Sequence, residues 1–148
     1  VGFGWAKPVQ INPNYYKNPT QGSLLVAIAG PIANLVLALF FGLPIRLFNW
    51  GLFNIPINPD FLLLIIRFCY VGIVLNLGLA FFNLLPIPPL DGSRVVRYFL
   101  RGRALEVYNR AENYGFYILI FFLLVFREGF SHYLSIMIQF FVHLITGI

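Results

Sequence analysis

The amino-acid sequence predicts an all-α integral membrane protein: a helical bundle with two full transmembrane helices, a broken C-terminal span and a short extended N-terminal loop. Three observations support this prediction. The 148 residues are 59% hydrophobic and only 10% charged, whereas soluble domains carry roughly a quarter charged residues. The mean hydropathy is +0.82. Two apolar runs are each long enough to cross a bilayer. We therefore treat residues 1–148 as a single membrane domain.

The first span is predicted at residues 23–43, which contain no charged residue. At about 1.5 Å per residue, a helix of this length crosses a hydrocarbon core of roughly 30 Å. Pro31 lies inside the run, a position that membrane helices tolerate. Residues 1–22 are polar and contain three prolines, so any strand there is confined to a sheet edge. Residues 44–60 are rich in Pro and Asn and are predicted to form a loop.

The second span is predicted at residues 61–85, and the remainder is more irregular. Residues 86–114 hold most of the charge, and part of this loop is predicted to form a short surface helix. Residues 115–126 are too short to cross alone. The rest of the C-terminal segment, which ends at residue 148, either packs a polar side into the bundle or lies in the interface. That polar side carries Ser131, Ser135, Gln139, His143 and Thr146.

The distribution of charge predicts the orientation in the membrane. Residues 1–22 and 86–114 share a side, because two spans separate them. That side holds two lysines and five arginines, whereas the opposite loop holds only Arg46. The positive-inside rule places the arginine-rich side in the cytoplasm. The net charge of +5 is therefore explained by membrane topology, and we expect no nucleic acid as a partner.

The sequence "NLLPIPPLDG", from Asn83 to Gly92, places a carboxylate where the second span ends. Prolines fix φ and lack an N–H, so the run is expected to hold the backbone extended with free carbonyls and to orient Asp91. A carboxylate near hydrocarbon is costly and is typical of a functional site, and it is a suitable metal ligand. The alternative is an interfacial turn in which Asp91 is the N-cap of a helix starting near Ser93.

The same stretch closely resembles the second signature of the site-2 protease family, the intramembrane zinc metalloproteases. Upstream, "GPIAN", which contains Gly30, Pro31 and Asn34, matches a further membrane-helix motif of that family. "FGWAKPVQINP" looks like the loop of its short members, which lack a PDZ domain. The three motifs occur in the expected order, and the resemblance covers nearly the whole chain, at least through residue 126. The resemblance implies a protein of the plasma membrane of a prokaryote.

The resemblance also implies roles for individual residues. Asp91, in the LDG motif with Gly92, corresponds to the third zinc ligand. Asn83 corresponds to the residue that holds the substrate backbone or polarises the scissile carbonyl. The unwound segment with Pro86, Pro88 and Pro89 is expected to bind the substrate, a membrane protein or peptide, as an extended strand. For Asn34 we favour an interhelical hydrogen bond.

The chain lacks HExxH, from which the family takes its other two zinc ligands and its general base. Its two histidines, His132 and His143, are 11 residues apart, about 16 Å along a helix, so one metal cannot bind both. The prediction is an intramembrane zinc metalloprotease represented by the C-terminal part of its core, inactive without the HExxH segment. The alternatives are a non-catalytic member that binds membrane segments or, with less support, a secondary transporter.

Overall fold

The computed structural model describes residues 19–51 and 58–147, and these form six helices and no strand. Three of the helices, of 31, 25 and 20 residues, are long and apolar enough to cross a membrane. The predicted all-α membrane fold is thus confirmed, whereas most of the predicted N-terminal extended loop lies outside the described residues. The helices are α1 (Pro19–Asn49), α2 (Pro59–Asn83), α3 (Asp91–Phe99), α4 (Gly102–Glu112), α5 (Gly115–Val125) and α6 (Arg127–Thr146).

Helix α1 is longer than the predicted span at both ends. It begins at Pro19 and continues through Pro44 to Asn49, so the prediction that a loop begins at residue 44 is wrong. A proline inside a membrane helix removes one backbone hydrogen bond without ending the helix when neighbouring groups compensate. Here the residues after Pro44 are held by tertiary contacts, because Ile45 is buried in the bundle core.

Helix α2 has clear local signals at both ends. The side chain of Asn58 accepts a hydrogen bond from the Asp60 amide at 2.9 Å, which is the usual way to satisfy a free N–H at a helix start. Pro59 occupies the first helical position, where its missing N–H costs nothing. The helix ends at Asn83, two residues before the predicted limit, because the first proline of the following run is only three residues away.

Helices α1, α2 and α6 form an antiparallel bundle, with α2 running against the other two. A Cβ atom placed on Gly72 of α2 would meet the Phe41 ring of α1 at 2.7 Å, and one on Gly78 would lie 3.8 Å from Ile138 of α6. The large apolar side chains on the outer faces are exposed, as expected for a surface that faces lipid. The buried core consists of Ala38, Ile45, Cys69, Ile73, Leu77, Phe81 and Ile145.

The C-terminal span is broken at Phe126, as predicted, between α5 and α6. Helix α5 has 11 residues, about 16 Å. Helix α6 packs against α1 and α2 through its apolar side, so it does not lie apart on the surface. Of the two alternatives left open for its polar side, packing into the bundle is not observed: Ser131, Ser135, Gln139 and His143 are exposed, and only Thr146 is buried.

The ends of α1 and α6 are joined by side chains of α1. The Arg46 guanidinium donates to the Leu144 carbonyl at 3.0 Å and to the Ile145 carbonyl at 3.3 Å. The Asn49 amide donates to the Thr146 carbonyl at 3.2 Å. The last carbonyls of a helix have no partner within the helix, and they carry partial negative charge. These hydrogen bonds therefore stabilise the C-terminal end of α6 and fix it to the C-terminal end of α1.

Candidate functional site

Asp91 is the first residue of α3, and the residue at the N-cap is Leu90, which makes no side-chain capping bond. The alternative in which Asp91 caps a helix starting near Ser93 is therefore wrong. Its carboxylate lies instead in the first turn of α3, where the helix dipole favours a negative charge. The side chain is half-buried. It forms no hydrogen bond or ion pair with the other described residues, so its oxygens remain available to a ligand.

The GPIAN motif, which begins at Gly30, lies next to the carboxylate of the LDG motif. A Cβ atom placed on Gly30 of α1 would lie 3.2 Å from Oδ2 of Asp91. A side chain at position 30 would therefore crowd the Asp91 carboxylate, whereas glycine leaves space for that carboxylate. Pro31, the next residue of the motif, is fully buried. Asn34, one turn further along, is half-buried. The interhelical hydrogen bond favoured for its side chain is not found within the part of the chain that the structure describes.

Asn83, the last residue of α2, is half-buried, and its amide makes no hydrogen bond to any described residue. The following segment, Leu84–Leu90, is not helical and separates α2 from α3. It is bent rather than extended, contrary to the prediction, because the Leu90 amide donates to the Ile87 carbonyl at 3.0 Å and closes a turn. The peptide bond between Pro88 and Pro89 is cis. Pro88 is buried, whereas Pro86 and Pro89 are exposed.

The loop after Asp91 contains two helices where one was predicted, and α4 contacts the proline segment. The hydroxyl of Tyr108 lies 3.2 Å from the Pro86 carbonyl oxygen and 3.2 Å from the Ser93 carbonyl oxygen. Burial raises the pKa of this hydroxyl, so it stays protonated and able to donate at neutral pH. Arg97 of α3 and Glu112 of α4 also form an ion pair at 3.0 Å.

Two glycines allow the turn to pack closely. A Cβ atom on Gly92 would collide with the backbone carbonyl of Leu84 and would lie 2.5 Å from the Leu85 carbonyl oxygen. A Cβ atom on Gly115, at the start of α5, would lie 2.5 Å from the Cβ of Pro88. Gly92 belongs to the motif predicted from the sequence, whereas Gly115 and Tyr108 were not predicted as site residues. Nothing in the local pattern around these two distinguishes them from ordinary helix residues.

The described residues do not by themselves fit a complete zinc site. They contain no group of three or more His, Cys, Asp and Glu side chains that could hold a metal ion, whereas catalytic zinc usually takes three protein ligands. His132 and His143 lie exposed on α6. Asp91 is suitable as one ligand, since its carboxylate is half-buried and unpaired within the described chain.

Comparison with known proteins agrees with this arrangement of motifs. The model of peptidase family M50 matches residues 51–126, just over half of the chain, and this range contains α2, the proline segment and Asp91. The chain belongs to peptidase family M50. This finding confirms the resemblance to site-2 proteases. No solved structure gives a significant match.

Curated relatives of this M50 member extend well beyond the matched region. The chain is 37% identical over 121 residues to YwhC of Bacillus subtilis, named as a candidate zinc metalloprotease, and the match covers 81% of the chain and 54% of YwhC. It is 36% identical over 84 residues to the zinc metalloprotease MJ0392 of Methanocaldococcus jannaschii, covering 57% of the chain and 22% of that protein. The chain thus spans about half the length of the first relative, and less of the second.

Proposed function

We propose that this chain forms part of an intramembrane zinc metalloprotease that hydrolyses peptide bonds in or near membrane helices. The observation that carries the proposal is the meeting of the two motifs, in which the Asp91 carboxylate lies against Gly30 of α1. In the proposed site Asp91 is one zinc ligand. Zinc, when bound, lowers the pKa of a water molecule and polarises a carbonyl.

The other two ligands and the base are not assigned to these 148 residues, which contain two histidines and no HExxH. In the proposal they are supplied by residues outside this sequence, as the resemblance implies. The contribution of the chain is therefore one carboxylate, the Asn83 amide and the backbone of the proline segment. The proposal assigns the Asn83 side-chain amide a contact with a substrate carbonyl, which is supported by its having no hydrogen bond to any other described group. A transmembrane substrate must be locally unwound, since a helix holds its carbonyls in internal bonds.

The test compares the 148-residue chain with the full-length gene product. Both are purified in detergent, zinc is measured by mass spectrometry, and cleavage is followed on reconstituted single-span peptides with and without a helix-breaking Gly-Pro pair. We expect about one zinc per full-length protein and far less than one zinc on the 148-residue chain. The full-length protein should cleave the peptide that contains the Gly-Pro pair, and a chelator should stop this cleavage.

Two outcomes would contradict the proposal. A full-length protein that binds the peptides but holds no zinc and cuts none of them would indicate the non-catalytic member of the family. Stoichiometric zinc on the 148-residue chain, lost in His132→Ala or His143→Ala, would show a metal site on α6 instead of at Asp91.

The proposed orientation places α3 and α4 in the cytoplasm and the start of α2 outside. In a Cys69→Ala background, we expect a cysteine at Arg103 to react with an impermeant thiol reagent only from the cytoplasmic side, and one at Asp60 only from outside. Both positions are exposed in the structure. The physical reason is the excess of arginines in the loop that contains α3 and α4. The reverse labelling pattern would place Asp91 at the outer face.

A further inference from the structure

A single hydroxyl on α4 links the two sides of the segment that carries Asp91. Oη of Tyr108 lies 3.2 Å from the carbonyl oxygens of both Pro86 and Ser93. Pro86 precedes Asp91 by five residues, and Ser93 follows it by two. The Tyr108 hydroxyl group has only one hydrogen to donate, so its hydrogen bond is shared between the two carbonyl oxygens or alternates between them. Either way, the hydroxyl contacts the backbone on both sides of Asp91.

The segment needs such a contact because it makes few bonds of its own. Three of its residues are prolines, which have no N–H to donate. Helix α3 starts without a side-chain cap, so no capping hydrogen bond stabilises its first turn. The ion pair between Arg97 and Glu112 joins α3 to α4, but its side chains are 48% and 39% exposed, and exposed ion pairs add little stability. Tyr108 is half-buried and contacts the segment itself.

We propose that Tyr108 is a positioning residue that fixes the segment from Pro86 to Ser93 and thereby holds the Asp91 carboxylate against Gly30. It does not touch the carboxylate, and it acts through the backbone on either side of it. The consequence for catalysis rests on the proposed function, whereas the effect on the backbone does not. Groups that orient a metal-binding residue in this way typically alter metal affinity or activity by 10- to 100-fold when they are removed.

The first arm of the test needs no metal and uses the 148-residue chain in lipid nanodiscs. Tyr108→Phe removes the hydroxyl and keeps the ring, and Tyr114→Phe is the matched control because Tyr114 is 65% exposed. Amide hydrogen exchange is followed at Leu90 and Ser93, whose N–H groups are bonded within the segment. We expect about fivefold faster exchange in Tyr108→Phe, the factor expected from one lost neutral hydrogen bond, and no change in Tyr114→Phe.

The pattern of exchange separates positioning from a general structural role. If Tyr108 only stabilises α4, exchange rises throughout residues 102–112 and the thermal midpoint falls. If it positions the segment, the change is confined to residues 84–94 and the midpoint is nearly unchanged. Unchanged exchange at Leu90 and Ser93, or a change that spreads over α4, overturns the inference.

The second arm measures cleavage by the full-length gene product carrying the same two substitutions. We expect Tyr108→Phe to lower kcat at least tenfold with KM nearly unchanged, and Tyr114→Phe to behave as the wild type. Faster exchange with normal kcat would overturn the catalytic part of the inference. A wild-type protein that cuts nothing would contradict the proposed function, and the exchange result would still decide whether Tyr108 fixes the segment.

Discussion

Replacing Asp91 with alanine in the full-length gene product is expected to abolish both zinc binding and cleavage. A catalytic zinc site has three protein ligands, and the two that remain hold the metal poorly. Asp60→Ala is the matched control, because it also removes one carboxylate from the first turn of a helix, in this case α2. We expect Asp60→Ala to keep its zinc and its activity. Zinc content by mass spectrometry and cleavage of the reconstituted peptide are measured on both variants.

Replacing Asn83 in the same protein separates metal binding from substrate contact. Asn83→Ala removes no proposed ligand, so about one zinc per chain should remain. Cleavage should still fall by roughly a hundredfold, the effect of losing one hydrogen-bond donor that acts mainly on the transition state. Loss of zinc in Asn83→Ala with retention in Asp91→Ala would reverse the two assigned roles. Normal cleavage by both variants would show that the proline segment is only an interfacial turn with no catalytic role.

The spans and the break were predictable because they depend on local composition. A run without charge over residues 23–43 requires a hydrophobic environment, whatever it packs against. Prolines after Asn83 end α2 within one turn, and the Arg127–Glu128 pair lies directly after the break at Phe126. The end of α1 was not predictable in this way. Pro44 signals a loop, but buried Ile45 and the bonds from Arg46 to α6 extend the helix to Asn49.

Residues of the candidate site were predictable only where they belong to a recognised family motif. Asp91 and Asn83 follow from the family resemblance, but their surroundings depend on contacts between distant positions. The contact of Gly30 with Asp91 joins residues 61 positions apart, and Tyr108 reaches Pro86 across 22 residues. A local sequence pattern cannot predict contacts between residues so far apart in the chain. The orientation of the polar side of α6 was left open between two alternatives for the same reason, since periodicity identifies a face but not the direction in which it points.

Gly92→Ala is expected to cause the largest loss of stability of any single methyl addition at the site. The added Cβ would collide with the Leu84 carbonyl oxygen and would lie 2.5 Å from both the Leu84 carbonyl carbon and the Leu85 carbonyl oxygen. These are backbone atoms directly after the end of α2, so they cannot move aside as a flexible side chain would. Overpacking of this kind typically costs about 1–3 kcal/mol and sometimes more, and we expect a cost at the upper end of this range.

Gly129→Ala is the matched control, because Gly129 also lies in the first turn of a helix and its added Cβ would meet no atom within 4 Å apart from its own neighbouring helix backbone. Alanine is favoured over glycine in helices by up to about 1 kcal/mol, so this variant should be as stable as the wild type or slightly more so. Thermal unfolding of the 148-residue chain in detergent, followed by circular dichroism, measures both. The backbone shift that relieves the collision in Gly92→Ala must also move the adjacent Asp91, so zinc binding by the full-length variant should weaken even below its unfolding temperature. Equal midpoints for the two variants would show that the turn around Asp91 is looser than the contact of Gly92 with Leu84 implies, and would weaken the case for a carboxylate held in one position.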